Sequence, residues 1–383
     1  MVDALMPDAE KIAAIREMLP ATGAGIYFDA LAAGPFPAET ARALAEADEW
    51  ELRVGRAGAG RAEDVAQREE EACAVLAALL LGDPSSVVIT HGVGEAHAQL
   101  ALSLPPSVGP RWIQVTGGDE SALAAMRGVA AARGAVVVEV APEGAPALIG
   151  PGVGLVVLPH VDERTGAVLP IAESSGQAHA VGALVLLDAS ASVGAIPIDP
   201  VALDVDAVAF PAHRWLLGPE GVGGLWLGSR AQALVDPWAL RERLDRPARR
   251  LTLGLARSLG WLEMYVGLTW AAERTGQLAR ALADALSVID GVVVITPLDR
   301  MAGVVSFRVR GWTADEAREE LGRRVFALIG CIDLDGEPVL RASVGFWNTA
   351  EESQRLAGAV AELAAHTPAT IPRRPSLTVL RET

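Results

Sequence analysis

Lysine is almost missing from this chain. Lys11 is the single lysine in 383 residues, and every other basic side chain is arginine. A guanidinium stays protonated at any working pH and cannot act as an amine nucleophile. That role is left to Lys11 and the N-terminal amine. Cysteine is scarce as well: Cys73 and Cys331 supply neither a disulfide framework nor a metal cluster. Two reduced thiols suit a cytoplasmic protein. Long apolar runs are lacking, since Ala74–Leu81 falls far short of the roughly 20 residues that span a bilayer. The start "MVDALMPDAEK" is acidic without an apolar core, so no signal peptide is expected. Positive charge is in deficit. A net charge of −16 repels phosphate backbones, so neither nucleic acid nor a membrane is an expected partner. His91, His97, His160 and His179 show no metal-ligand spacing, and no metal is expected.

What is present is an alternation. Short β-rich runs such as "SVVIT", "RWIQV", "AVVVEV", "GLVVLPHV", "ALVLLDAS", "DAVAFPAH" and "GGLWLG" alternate with helical patterns between Ser86 and Gly228. Uninterrupted apolar runs between helices indicate strands buried on both faces. The reading is an α/β fold: a mainly parallel, seven-stranded central sheet with helices on both faces, plus a smaller C-terminal α+β domain. Residues 1–25 form a helical segment of the small domain and 26–250 the large domain. Connecting helices fill 251–290, the small domain 291–366, and an irregular Pro-rich tail 367–383.

In such a sheet, ligands sit beyond the carboxyl ends of the strands. "THGVGEAH" sets Gly92, Val93 and Gly94 at a strand-to-helix turn, suited to an anion on backbone N–H groups or simply to a turn. Asp188 ends the run "ALVLL", where it can pair with a protonated ring nitrogen or cap the next helix. His213 and Arg214 close another strand, and His213 is an acid/base candidate, a stacking partner or a structural histidine. Arg341 lies inside an apolar strand and calls for an anion, either a ligand carboxylate or an internal acid.

Five stretches taken in order resemble the class V aminotransferase family, the fold type I pyridoxal phosphate (PLP) enzymes that include cysteine desulfurases. They are "IYFDALAAGPFP", "THGVGEAH", "LLDASASVGAIPID", "AHRWLLGPEGVGGLWLG" and "LRASVGFWNTAEE". The resemblance implies that Asp188 meets the cofactor's pyridine nitrogen and that Arg341 holds the substrate carboxylate. It implies cofactor contacts at Gly92, Val93, Gly94 and His213. It also places Arg214 where the family has its Schiff-base lysine. Val93 and Gly94 replace two phosphate-binding threonines, Pro211 a serine, and Ala191 a glutamine, while the ring-stacking histidine falls near Asp119. Cys331 is the only nearby candidate for a desulfurase thiol. "RRLTLG", Arg249 to Gly254, resembles a loop lent to the neighbouring subunit's pocket.

Two readings follow. In the first, the chain is a non-catalytic family member: a dimer scaffold, a regulator, or the inactive partner in a heterodimer with a lysine-bearing relative. In the second, Asp188, His213, Arg214 and Arg341 converge on a small anionic ligand for altered chemistry, with Arg214 an anion clamp and His213 an acid/base. Either way the expected cofactor is none, or PLP or pyridoxamine phosphate held without a covalent bond, and no Schiff base is expected.

Overall fold

The computed structural model describes residues 8–57, 59–243 and 247–372. The first seven residues, and 373–383 of the expected tail, lie outside them. The apolar runs become strands. We number them β1 (Ile26–Phe28), β2 (Val87–Thr90), β3 (Arg111–Val115), β4 (Val136–Val140), β5 (Val153–Pro159) and β6 (Leu184–Asp188). β7 (Ala207–Pro211), β8 (Gly223–Leu227), β9 (Val292–Val294), β10 (Val304–Val309), β11 (Ala327–Leu334) and β12 (Glu337–Ser343) complete the set.

The large sheet has seven strands in the order β2-β8-β7-β6-β5-β3-β4. β3 to β7 pair in parallel, and β8 alone runs the other way, between β7 and β2. Successive side chains leave a strand on opposite faces. Val156, Leu158, Val185 and Leu187 therefore enter one core, and Leu155, Val157, Leu184 and Leu186 the other. Helices Val93–Ser103 and Glu120–Arg133 cover the second face. Helices Ala59–Leu79, Ile171–Ala180 and Arg249–Trp261 cover the first.

The smaller sheet has five strands, ordered β1-β11-β12-β10-β9, backed by helices Leu268–Ser287, Ala314–Val325 and Ala350–Ala364. The last two start at reciprocal capping boxes, Thr313 with Glu316 and Thr349 with Glu352, which satisfy otherwise orphaned N–H groups. Glu352 also takes Arg16 at 2.8 Å, tying helix Asp8–Glu17 to this domain.

Two expectations need correction here. Ile26–Phe28, assigned to the large domain, pairs in parallel with Ala327–Ile329 and is an edge strand of the small sheet. Arg249–Gly254 is no loop but the start of helix Arg249–Trp261. Its apolar residues at helical spacing, Leu255 and Leu259, enter the core of their own subunit. Arg249 is held in cis by Asp64 at 2.7 Å and lies 4.6 Å over the Trp50 ring.

Candidate functional site

The carboxyl ends of β3, β5, β6 and β7 bring four segments together. Asp188, the last residue of β6, is 2% exposed. Its Oδ1 accepts the N–H of Ser190 at 2.9 Å, and its Oδ2 the N–H of Asp119, also at 2.9 Å. It closes its own turn rather than capping a helix, since no helix lies between β6 and β7, and it pins the loop after β3. That loop comes so close that a Cβ on Gly118 would stand 2.4 Å from Asp188 Oδ2, so only glycine fits.

Arg214 sits in the turn that follows β7, buried at 7% exposure. The turn is fixed on three sides. Gly218 N–H bonds Ala212 O at 2.8 Å, Gly34 N–H bonds His213 O at 2.8 Å, and Trp215 Nε1 donates to Val344 O at 2.8 Å. A Cβ at Gly34 would meet Arg214 O at 2.2 Å, so the N-terminal strand's exit passes flush against the turn.

The Arg214 guanidinium is claimed by two acids. Its Nη2 donates to Asp119 Oδ2 at 2.7 Å, and its Nη1 donates to Glu163 Oε1 in a short contact. Burial pulls the Asp119 carboxyl upward, but the Arg214 charge and hydrogen bonds from Ser121 and Ala122 win, leaving it below the ordinary aspartate value. Glu163, fully enclosed, goes the other way: desolvation outweighs Arg214, and its carboxyl is held above the usual range. Desolvation lowers the Arg214 guanidinium, yet the charges of Glu163 and Asp119 more than compensate, and it stays protonated.

Position 119, aligned with a stacking histidine, thus carries an ion-pairing acid. Glu163 was missed in the sequence because it lies inside "PHVDERTG" among other charged residues. A signal did exist, since a buried arginine requires an acid and both acids directly follow strands of the same sheet.

His213 is half-buried, and burial and then the neighbouring Arg214 charge push its imidazole below the ordinary histidine pKa. Arg341, on β12, is 8% exposed. Its one hydrogen bond among the described residues is long, Nη1 to Glu163 O at 3.4 Å, and its Nε has no acceptor. The internal ion pair considered for it is not formed among those residues.

Gly92 precedes helix Val93–Ser103 with a φ of 136°, and Gly94 packs so that a Cβ would lie 3.1 Å from Ser121 O. At this helix start Glu95 already accepts the His91 N–H at 2.7 Å. Pro211 and Ala191 are buried and Cys331 lies half-buried on β11, whose burial raises the thiol pKa. Lys11 Nζ stands 4.1 Å from the Trp270 ring centroid.

The aminotransferase class-V family model matches residues 26–242. The chain is 29% identical over 249 residues to the isopenicillin N epimerase of Amycolatopsis lactamdurans, covering 58% of this chain and 63% of the epimerase. It therefore spans less than two thirds of that relative's length. A probable cysteine desulfurase of Methanothermobacter thermautotrophicus is 24% identical over 399 residues, with 91% and 97% covered.

Among solved structures, a lysine-to-alanine variant of C-DES with glycine covalently linked to the PLP cofactor superimposes with a TM-score of 0.80. It is 22% identical, with 91% of this chain and 99% of that one covered. The cysteine desulfurase CsdA of Escherichia coli gives 0.78 at 23% identity, with 93% and 98% covered. These relatives correct the cofactor expectation. The expectation of no cofactor, or of one held without a covalent bond, is overturned by C-DES, a structural neighbour in which PLP is present, linked covalently to glycine.

Proposed function

The chain belongs to the aminotransferase class-V family, and on that premise we propose a member in which a buried ion-pair cluster occupies the nucleophile's seat. It works as a scaffold or regulator, in a homodimer or as the inert partner of a lysine-bearing relative. The observation that carries this is Arg214, clamped between Asp119 and Glu163. PLP is the cofactor that C-DES, a structural neighbour, carries. Asp188 offers it a carboxylate, but both oxygens already hold backbone N–H groups. Position 214 offers a paired guanidinium and no primary amine, so the fit fails at the covalent anchor.

Supplied with PLP and cysteine, the purified protein is expected to release sulfide no faster than PLP alone. The same holds for keto-acid formation from other amino acids. A steady-state rate one hundred times that of PLP alone would overturn the reading, because an enzyme of this kind exceeds its free cofactor by orders of magnitude.

Arg341 favours a second reading, in which the pocket takes a small carboxylate. The Arg341 guanidinium feels the charges of Glu163 and Asp29, but no carboxylate oxygen stands within ion-pair distance among the described residues. Its Nε has no acceptor there, which leaves a place for a ligand anion. Titration calorimetry with acetate, succinate and glycine separates the two. This reading expects saturable binding that Arg341→Met weakens at least tenfold, and the absence of heat removes it.

A further inference from the structure

The two acids around Arg214 are placed without its help. Asp119 caps helix Glu120–Arg133, its Oδ1 accepting the N–H of Ser121 at 2.9 Å and its Oδ2 left for the guanidinium. Glu163 is set by its own backbone, whose N–H donates to Gly117 O at 2.7 Å. The loop that carries Glu163 is fastened to the small domain as well. Ser306 Oγ donates to Arg164 O at 2.7 Å, and a Cβ on Gly166 would stand 2.3 Å from Val304 O. Carboxylates held by capping and backbone bonds stay in place whatever basic side chain stands at 214.

This seat reads charge more than the shape of a guanidinium. Only the two Nη groups are met, while the Arg214 Nε is buried with no acceptor among the described residues. A single ammonium answers the same two oxygens. Counted along the side chain, lysine Nζ falls where arginine carries Cζ, the atom that joins those two Nη groups. Burial alone favours a neutral amine, but opposite charges within about 4–6 Å favour the charged form. The same contest is visible at Arg214, where desolvation is outweighed by the charges of Glu163 and Asp119.

We propose that Asp119 and Glu163 bar amine chemistry from this pocket in their own right, by holding any basic side chain at position 214 as a cation. Capture of an aldehyde begins when the lone pair of a neutral amine attacks the carbonyl carbon. The C–N bond forms, and the carbonyl oxygen departs as water. An ammonium has no lone pair to give, so each pH unit by which the acids keep it protonated slows capture about tenfold. The block therefore sits on three residues, and a lysine restored at 214 leaves it in force. This rests on the clamp described above but concerns residues 119 and 163, so its failure would leave the inertness of the native chain standing.

The test is reductive methylation of folded Arg214→Lys protein with formaldehyde and cyanoborohydride, a probe small enough to need no cofactor site. Because Lys11 is the only other lysine, peptide mass mapping follows the introduced amine against one internal standard. At about pH 8 the expected rate at 214 is about fivefold or more below that of Arg214→Lys combined with Asp119→Asn and Glu163→Gln. The pH profile separates charge from access. In the single variant the rate should climb about tenfold per unit up to about pH 10, and with the acids neutralised it should level off about one unit earlier. Should the triple variant lose its fold, each neutralisation made alone in the lysine background carries the comparison, with about a twofold gain or more. Smaller ratios, or profiles that coincide, overturn the proposal.

Discussion

Replacing Arg214 with methionine is expected to lower the unfolding free energy at pH 7 by about 3–5 kcal/mol, measured by urea titration at fixed protein concentration. Methionine fills much of the space, so the loss comes from charge. Asp119 and Glu163 would face each other and Asp188 without the guanidinium that pairs with both, and only Arg341 would remain near Glu163 as a positive charge. The pH dependence has a definite sign. In the native protein Asp119 lies below its unfolded value, so its contribution is present above that value and is lost as pH falls through the folded one. Glu163 lies above its unfolded value, so the folded state binds the extra proton and stability drops as pH rises through that window. Without Arg214 both acids move upward. The deficit of the variant should then be largest at pH 8 and shrink towards pH 5. A deficit below about 1 kcal/mol, or one that grows on acidification, contradicts the cluster.

Asp188→Ala is the second large effect, about 2–4 kcal/mol, with Asp188→Asn costing less than half as much. The carboxylate receives two backbone N–H groups, and a hydrogen bond to a charged acceptor contributes about 1.5–3 kcal/mol. Alanine leaves the N–H groups of Asp119 and Ser190 without that acceptor, whereas asparagine keeps one carbonyl oxygen for them. Loosening of the Asp119 loop should also be visible, as faster amide hydrogen exchange over 116–121. If alanine proves neutral, Asp188 has no structural duty and its presence needs another cause.

These effects explain what could and could not be read from the chain. The strands that build the site were legible because β5, β6 and β7 are uninterrupted apolar runs, which only a doubly covered sheet requires. Helix Ala350–Ala364 starts at the Thr349–Glu352 box, a signal present in the sequence but not used to read it. β1 was not legible, because three residues carry almost no pattern and its partner β11 lies some 300 positions away. "RRLTLG" was misread as a loop although its leucines continue at helical spacing into Leu259. The resemblance to a loop outweighed a periodicity that the packing then enforced. The substitution at Arg214 was plain in sequence, but its meaning was not. Glu163 lies 51 positions and Asp119 95 positions away from it. Only the strand order β7-β6-β5-β3 sets their loops side by side.

The central claim is that Arg214 is a committed ion-pair partner, neither a spare cation nor a nucleophile's substitute. A double-mutant cycle with Arg214→Met and Glu163→Gln tests it most directly. The account predicts a coupling of at least about 1.5 kcal/mol, with the double variant more stable than Arg214→Met alone because the stranded acid is gone. Additive losses, with coupling near zero, would contradict it and leave Arg214 free for another role.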